Sequence, residues 1–225
     1  MSDELNYPEE MEQYFNKKAD GYDNHMKKTI TSFDDFYKKL SDPIRRNNSN
    51  IEILDLGCGT GIELQYLFNK NPNIKITGID LSEKMLSKLK EKYINKINQI
   101  KLIKDSYSHY RIEEDYYDYI ISVWALHHLT YENKSKIYKK IYNGLKENSY
   151  YIEGEYIVSE KEEESFIKKY QKQISRLKKN EIELDYHIDI PFSVRTQKKI
   201  LQEANFFDIE IIFQNKDSAI FKAKK

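Results

Sequence analysis

Ile51-Glu-Ile-Leu-Asp-Leu-Gly-Cys-Gly-Thr-Gly-Ile62 decides how the chain is read. A short apolar run enters a turn with glycine at Gly57, Gly59 and Gly61, and a helical pattern follows from Glu63 to Lys70. Glycine reaches backbone angles closed to other residues and lets the chain approach a ligand closely. A strand, a glycine turn and a helix N-terminus together form a ready site for a negatively charged group. The spacing narrows the ligand. Dinucleotide binders use G-x-G-x-x-G, whose third slot here is Ile62, and no phosphate loop ending in Gly-Lys-Ser/Thr is present. The turn therefore reads as a close backbone approach to something other than a pyrophosphate, with a tight ligand-free loop as the alternative.

Outward from this stretch the chain alternates. Strands are expected at Ile51–Leu56, Ile74–Ile79, Ile100–Ile103, Tyr119–Val123 and Tyr150–Ile157. Between them lie helices, one capped by Ser82 with Met85, Leu86 and Leu89 as its apolar stripe, and one over about Glu132 to Leu145. Such alternation means crossover units and a parallel sheet. Upstream, helical patterns run from Pro8 to Lys18 and from about His25 to Leu40, ending in turn chemistry at Ser41–Asn50. Downstream, a charged helix from Glu160 to about Asn180 carries Phe166, Ile167, Tyr170, Ile174 and Leu177 as its inner stripe. It reads as a solvated helix or, alternatively, a nucleic-acid face built on Lys168–Lys179. A helix over Thr196–Ala204 precedes two alternating segments, Phe207–Phe213 and Ala219–Lys222, expected to form a hairpin.

The totals exclude several classes. Lys plus Arg and Asp plus Glu both count 37 in 225 residues, so net charge does not draw the chain to nucleic acid. One cysteine rules out an internal disulfide framework and suits a reducing, cytoplasmic setting. The polar start Met1-Ser-Asp-Glu-Leu-Asn-Tyr7 is unlike a targeting peptide, and no apolar run approaches the ~20 residues of a membrane span. No His/Cys spacing suggests a metal.

Two carboxylates join the glycine turn. Asp80 closes the second strand, where nucleotide-binding sheets face a ribose, and Asp105 closes the third. Asp55–Gly61, Thr77-Gly-Ile-Asp80, Lys104-Asp105 and Asp118-Tyr-Ile-Ile-Ser-Val-Trp-Ala-Leu-His-His-Leu129 together resemble the ordered motifs of class I S-adenosylmethionine-dependent methyltransferases. The resemblance covers at least residues 51 to 157. It implies a Rossmann-like α/β fold with a seven-stranded sheet of order 3-2-1-4-5-7-6, mostly parallel with an antiparallel C-terminal hairpin. The expected organisation is a single domain over residues 1–225. It has a helical N-terminal cap (1–50), a cofactor-binding core (51–157), a helical insertion over the substrate (158–195) and a closing helix and hairpin (196–225).

The same resemblance implies the cofactor S-adenosyl-L-methionine and a residue-by-residue set of roles. Asp55 and the backbone of Gly57, Cys58, Gly59 and Gly61 would hold its methionyl end, and Asp80 its ribose, with Leu81 beside the adenine. Asp105 and Ser106 would meet the adenine edge, and Val123 the methionine portion. Cys58 itself reads as a small buried residue of the turn. The usual Pro-Gly-Gly before the fifth strand is Glu147-Asn148-Ser149 here, and Trp124 stands where smaller residues are common.

Methyl transfer from a sulfonium needs alignment more than acid–base help. His127, just past the fourth strand, is a candidate general base or a histidine capping the next turn, with His128 ranked below it. Tyr22, with Tyr14 second, could close over the cofactor or simply pack. His187 and Asp189 sit in an irregular segment suited to substrate contact or to loop capping. The expected partner is a small-molecule acceptor handled by a monomer or homodimer, with no membrane and no nucleic acid. RNA methylation, a nucleotide-dependent oxidoreductase and a non-catalytic S-adenosylmethionine-binding regulator are the rival readings.

Overall fold

β1 (Ile51–Leu56) alternates its contacts: Ile51 and Ile53 enter one apolar cluster, Leu54 and Leu56 the other. A strand buried on both faces belongs at the centre of a covered parallel sheet, and there it lies, paired in parallel with β2 (Ile74–Asp80) and β4 (Tyr117–Val123). The computed structural model describes residues 8–46, 50–177 and 185–225. β3 (Ile100–Lys104) extends the sheet beyond β2, and β5 (Leu145–Tyr156) beyond β4. β7 (Ser218–Lys224) runs antiparallel to β5, and β6 (Phe207–Gln214) antiparallel to β7. The order is β3-β2-β1-β4-β5-β7-β6, the one expected. The order reverses between β1 and β4, and the carboxyl edge at such a switch point is where open α/β sheets bind ligands.

The helices cover both faces. α3 (Phe33–Ser41), α4 (Leu64–Lys70) and α5 (Glu83–Lys92) pack on the side of Ile51 and Ile53. α6 (Tyr131–Gly144) and α8 (Val194–Glu203) pack on the other. α3 lies so close to β5 that a Cβ on Gly154 would stand 2.6 Å from the Phe36 ring. Ser82 caps α5 by accepting from the Met85 N–H at 3.2 Å. α1 (Met11–Lys18) and α2 (Tyr22–Thr29) lie over the carboxyl edge.

Two expectations are corrected. The helical pattern from His25 to Leu40 is two helices, because Thr29-Ile30-Thr31 is a β-branched run of poor helix formers. Ile30 turns extended and Ser32 takes a left-handed φ of 58°. Glu147-Asn148-Ser149, expected as a turn before a strand at Tyr150, lies inside β5. Tyr117 pairs with Leu145 but Tyr119 with Tyr150, so these residues form a bulge around Asn148 at φ 60°. Lys225 stitches it by backbone bonds to Asn148 (3.1 Å) and Ser149 (3.0 Å).

The charged segment forms α7 (Glu160–Ile174), closed at its start by a Ser159–Glu162 capping box, with Phe166, Ile167, Tyr170 and Ile174 half-buried. The polar start Met1–Tyr7, the stretch 47–49 of the expected turn, and Lys178, Lys179 and Asn180 lie outside the described residues. Among the described residues no helix is long and apolar enough to cross a membrane.

Candidate active site

The glycine turn owes its shape to three positive φ angles, 76° at Gly57, 49° at Gly59 and 69° at Gly61. A Cβ on Gly57 would meet that of Ala125 at 2.5 Å, so the turn is pressed against the chain leaving β4. Gly57 and Cys58 donate backbone bonds to Ile79 O, at 2.9 and 3.0 Å. Asp80 then locks the turn to the next helix: its carboxylate accepts from Gly59 N and from Ser82 N, each at 2.8 Å. Burial pushes the Asp80 carboxyl up to about 6, against the pull of those two bonds.

Beneath the turn, Asp55 at the end of β1 is fully buried; neither oxygen meets an N–H donor, and its polar neighbour is the Glu63 carboxyl. Loss of solvent, then the neighbouring Glu63 charge, push Asp55 far above the usual carboxylate range. Burial raises Glu63 as well, to about 7. Buried carboxylates without an N–H donor are costly, and such exceptions call for an explanation. A cationic group brought in by a ligand supplies one.

A cleft opens over this edge. Of the residues singled out from the sequence, Tyr22, Gly57, Gly59, Asp80, Leu81 and Val123 line it. Cys58 does not: its sulfur points back to Gly78 in the core, consistent with the buried role read for it. Gly61 packs on Leu89 and Leu64. Asp105 and Ser106 stand at the end of β3 outside the cleft lining. Asp105 accepts from Ser106 N at 2.8 Å, and Ser106 Oγ donates to Asp185 at 3.0 Å. His128, ranked second to His127 from the sequence, and Trp124 also line it, and Met11, Phe15, Met85, Tyr107 and Ala125 complete the walls, a role not foreseen for them because they come from separate parts of the chain.

A second cavity of about 370 Å3 adjoins the first and shares Phe15, Tyr22, Trp124 and His128 with it. Trp124, at φ 54°, packs on Phe36 and divides the two spaces; its indole nitrogen is buried without a partner. His127, His187 and Asp189, all read from the sequence as candidates, meet here. The roof is made by α1 and the segment 185–190. Met11 N donates to Asp185 O (2.8 Å), His187 N to Glu9 O (2.9 Å), and the Tyr14 and His187 rings stack at 3.6 Å. Ile190 N donates to His127 O at 2.6 Å, tying the roof to the end of β4.

The wall is strongly polarised. His127 Nδ1 lies 2.7 Å from Glu155 Oε1, and its Nε2 lies 3.8 Å from Asp189. Burial alone would favour the neutral imidazole, but Glu155 and Asp189 outweigh it and hold His127 above its ordinary value. His128, 3.3 Å from Asp189, is pushed down to about 4 by burial and by the charge of His127. Behind them, fully buried Lys134 reaches Glu153 at 3.2 Å and Glu155 at 3.5 Å. Glu155 and Lys134 were missed from the sequence. A signal existed for Lys134, which falls on the apolar stripe of its helix with Ile137, Tyr138 and Ile141.

Residues 53–148 match the family model described as "Methyltransferase domain". The chain is 24% identical to carboxy-S-adenosyl-L-methionine synthase of Nautilia profundicola, over 95% of this chain and 99% of that one. The domain match and the relatives support a class I S-adenosylmethionine-dependent methyltransferase family for this chain. It is also 30% identical to phosphoethanolamine N-methyltransferase of Plasmodium falciparum over 51% of this chain and 42% of that one. In fold, the chain resembles phosphoethanolamine N-methyltransferase 2 of Haemonchus contortus, with a TM-score of 0.69 and 16% identity. That match covers 96% of this chain and 59% of the other, so the chain spans about three-fifths of that structure.

The first cleft, about 50 Å3 in this structure, carries polar groups that suit the family's cofactor. Asp55 is an acceptor without an N–H donor, Asp80 presents a carboxylate at the cleft wall, and the glycines leave backbone accessible. Above Gly59 nothing lies within 4 Å of where a side chain would begin.

Proposed function

We propose that this chain transfers a methyl group from S-adenosylmethionine to a small-molecule acceptor held in the second cavity. The observation that carries this reading is the shared wall: Phe15, Tyr22, Trp124 and His128 belong to both spaces, and α1 with segment 185–190 roofs the second. A roofed, half-open cavity of this size suits a small ligand.

Asp80 would take the ribose hydroxyls, Asp55 the amino group of the methionyl end, and Leu81 and Met85 the flank of the base. When bound, the cofactor supplies a sulfonium methyl ready for in-line displacement. The chain's own residues then align the acceptor and keep water out, which well-held reactants convert into roughly 7–11 kcal/mol of barrier reduction. Tyr22, Phe15 and Trp124 close the passage between the two spaces. Glu155 holds the Nδ1 proton of His127 and so presents Nε2 to the acceptor side, where it orients an acceptor hydroxyl or amine or accepts its proton.

Full-length matching to carboxy-S-adenosyl-L-methionine synthases favours a second reading, carboxylation of the cofactor. A carboxylated product calls for a facing cation, and among the described residues no lysine or arginine lines the cofactor cleft. One experiment separates the readings: the full chain with S-adenosylmethionine and separate small amines, hydroxyls, thiols and carboxylic acids, or bulk tRNA. Release of S-adenosylhomocysteine with a small acceptor supports the proposal. Salt-sensitive methylation of tRNA alone, or a carboxylated cofactor by mass spectrometry, overturns it.

A further inference from the structure

The sequence offers no metal-binding spacing, yet the fold brings one ring nitrogen each of His127 and His128 and an oxygen of Asp189 within 4.8 Å of one another. His128 Nδ1 stands 3.3 Å and His127 Nε2 3.8 Å from the same Asp189 oxygen; His128 Nδ1 is also 3.3 Å from Ile188 O, a contact that a bound ion would replace. Tetrahedral ligands about 2.1 Å from a zinc ion lie about 3.4 Å apart, so small side-chain movements would bring this set around a single ion.

Two further observations point the same way. The first is the support behind His127, whose Nδ1 meets Glu155 Oε1 at 2.7 Å. Metal-ligating histidines characteristically give their other nitrogen to a carboxylate, which sets the tautomer and directs the free lone pair. Here that lone pair is on Nε2, the atom nearer Asp189. Glu155 is itself held by Lys134 and by the Tyr156 N–H at 2.9 Å. The second is charge. Glu153, Glu155 and Asp189 face one another through Lys134 and the two histidines. The cluster thus sets three carboxylates against one lysine, and a divalent cation would displace whatever protons the histidines carry and bring its own charge to the carboxylates.

We propose that His127, His128 and Asp189 form a binding site for a divalent transition-metal cation of the zinc class, in the wall of the second cavity. Two histidines and one carboxylate leave at least one coordination position open, the pattern of a catalytic rather than a structural site. The cavity residues Tyr14, Tyr22 and His187 line the same space. With an ion bound, the Nε2 lone pair of His127 is no longer free to take a proton, and an acceptor hydroxyl or thiol coordinated there would instead lose its proton to solvent more readily. That role rests on the proposed acceptor cavity; the site itself does not.

The test uses the full chain, stripped with a chelator and titrated with Zn2+ alone by calorimetry, with bound metal counted after dialysis. The expected result is one ion per chain. Asp189→Asn should weaken it at least 100-fold, and Glu155→Gln by about 10–100-fold, the usual consequence of losing a carboxylate behind a ligating histidine. S-adenosylmethionine affinity unchanged in Asp189→Asn shows that the variant is folded, because Asp189 does not line the cofactor cleft. No saturable one-to-one binding, or equal affinity in folded Asp189→Asn, overturns the site. Zinc binding without any S-adenosylmethionine binding leaves the site standing and removes the methyltransferase reading instead.

Discussion

Asp55→Asn should make the unliganded protein more stable and shrink the stabilisation that ligand brings. Asp55 is fully buried, neither oxygen meets an N–H donor, and the Glu63 carboxyl is its neighbour. An unsatisfied buried polar group costs about 1–3 kcal/mol, more when charged. Replacing the carboxylate by an amide of the same shape should therefore raise unliganded stability by about 1–3 kcal/mol. At roughly 2–4 °C per kcal/mol for a chain of this size, the melting temperature rises by about 2–12 °C. Its pH dependence has a definite sign. A carboxyl whose folded pKa is raised contributes stability below its unfolded value and loses it as pH climbs toward the folded value, which for Asp55 lies far above the usual carboxylate range. The advantage of Asp55→Asn should thus widen from pH 5 to pH 8.

Ligand narrows the gap. S-adenosylmethionine at 100 times its dissociation constant stabilises the wild type by about 2.7 kcal/mol. Losing a hydrogen bond between charged groups costs about 1.5–3 kcal/mol. At the same concentration Asp55→Asn then gains only about 0.3–1.3 kcal/mol. The assay is thermal unfolding with and without ligand at two pH values. A less stable unliganded variant with an undiminished ligand shift would refute the reasoning, and Asp55 would be a structural residue.

Other perturbations follow from the same geometry. Gly57→Ala combines a positive φ with a 2.5 Å clash against Ala125 and should cost several kcal/mol in urea unfolding. Gly59→Ala meets nothing within 4 Å and should cost only the left-handed backbone penalty of about 1–2 kcal/mol. Equal losses at the two positions would contradict the packing described for the turn. Because the Asp80 carboxyl sits at about 6, cofactor affinity should fall by up to about tenfold per pH unit below that value. Calorimetry at pH 5 and pH 8 checks this, and a flat profile counts against a carboxylate accepting from the ribose.

What could be read from the chain was mostly local. The glycine turn, the apolar strands and the Ser82 cap are encoded within a few residues of one another, and each appears where expected. Strand order was legible through the resemblance, since an ordered set of motifs at strand ends carries the topology with it. The break at Ile30 was present as a β-branched run but hidden by the helical spacing on either side. The bulge at Asn148 depends on Lys225, far along the chain, and has no local mark.

The site divides in the same way. Asp80, Leu81 and Val123 follow their strands and line the cleft, whereas Asp105 and Ser106 turn to each other and to Asp185. The His127–His128–Asp189 cluster joins residues about 60 positions apart through backbone bonds of the roof to β4, and no spacing rule reaches that far.

The central claim is that the Gly57–Gly61 turn with Asp80 holds S-adenosylmethionine. Isothermal titration of wild type and Asp80→Ala with S-adenosylmethionine, and separately with a nicotinamide dinucleotide, tests it most directly. The account predicts one-to-one binding of S-adenosylmethionine, weakened by about 1–3 kcal/mol in the variant, and no binding of the dinucleotide. Dinucleotide binding without S-adenosylmethionine binding, or an affinity that Asp80→Ala leaves unchanged, would contradict it.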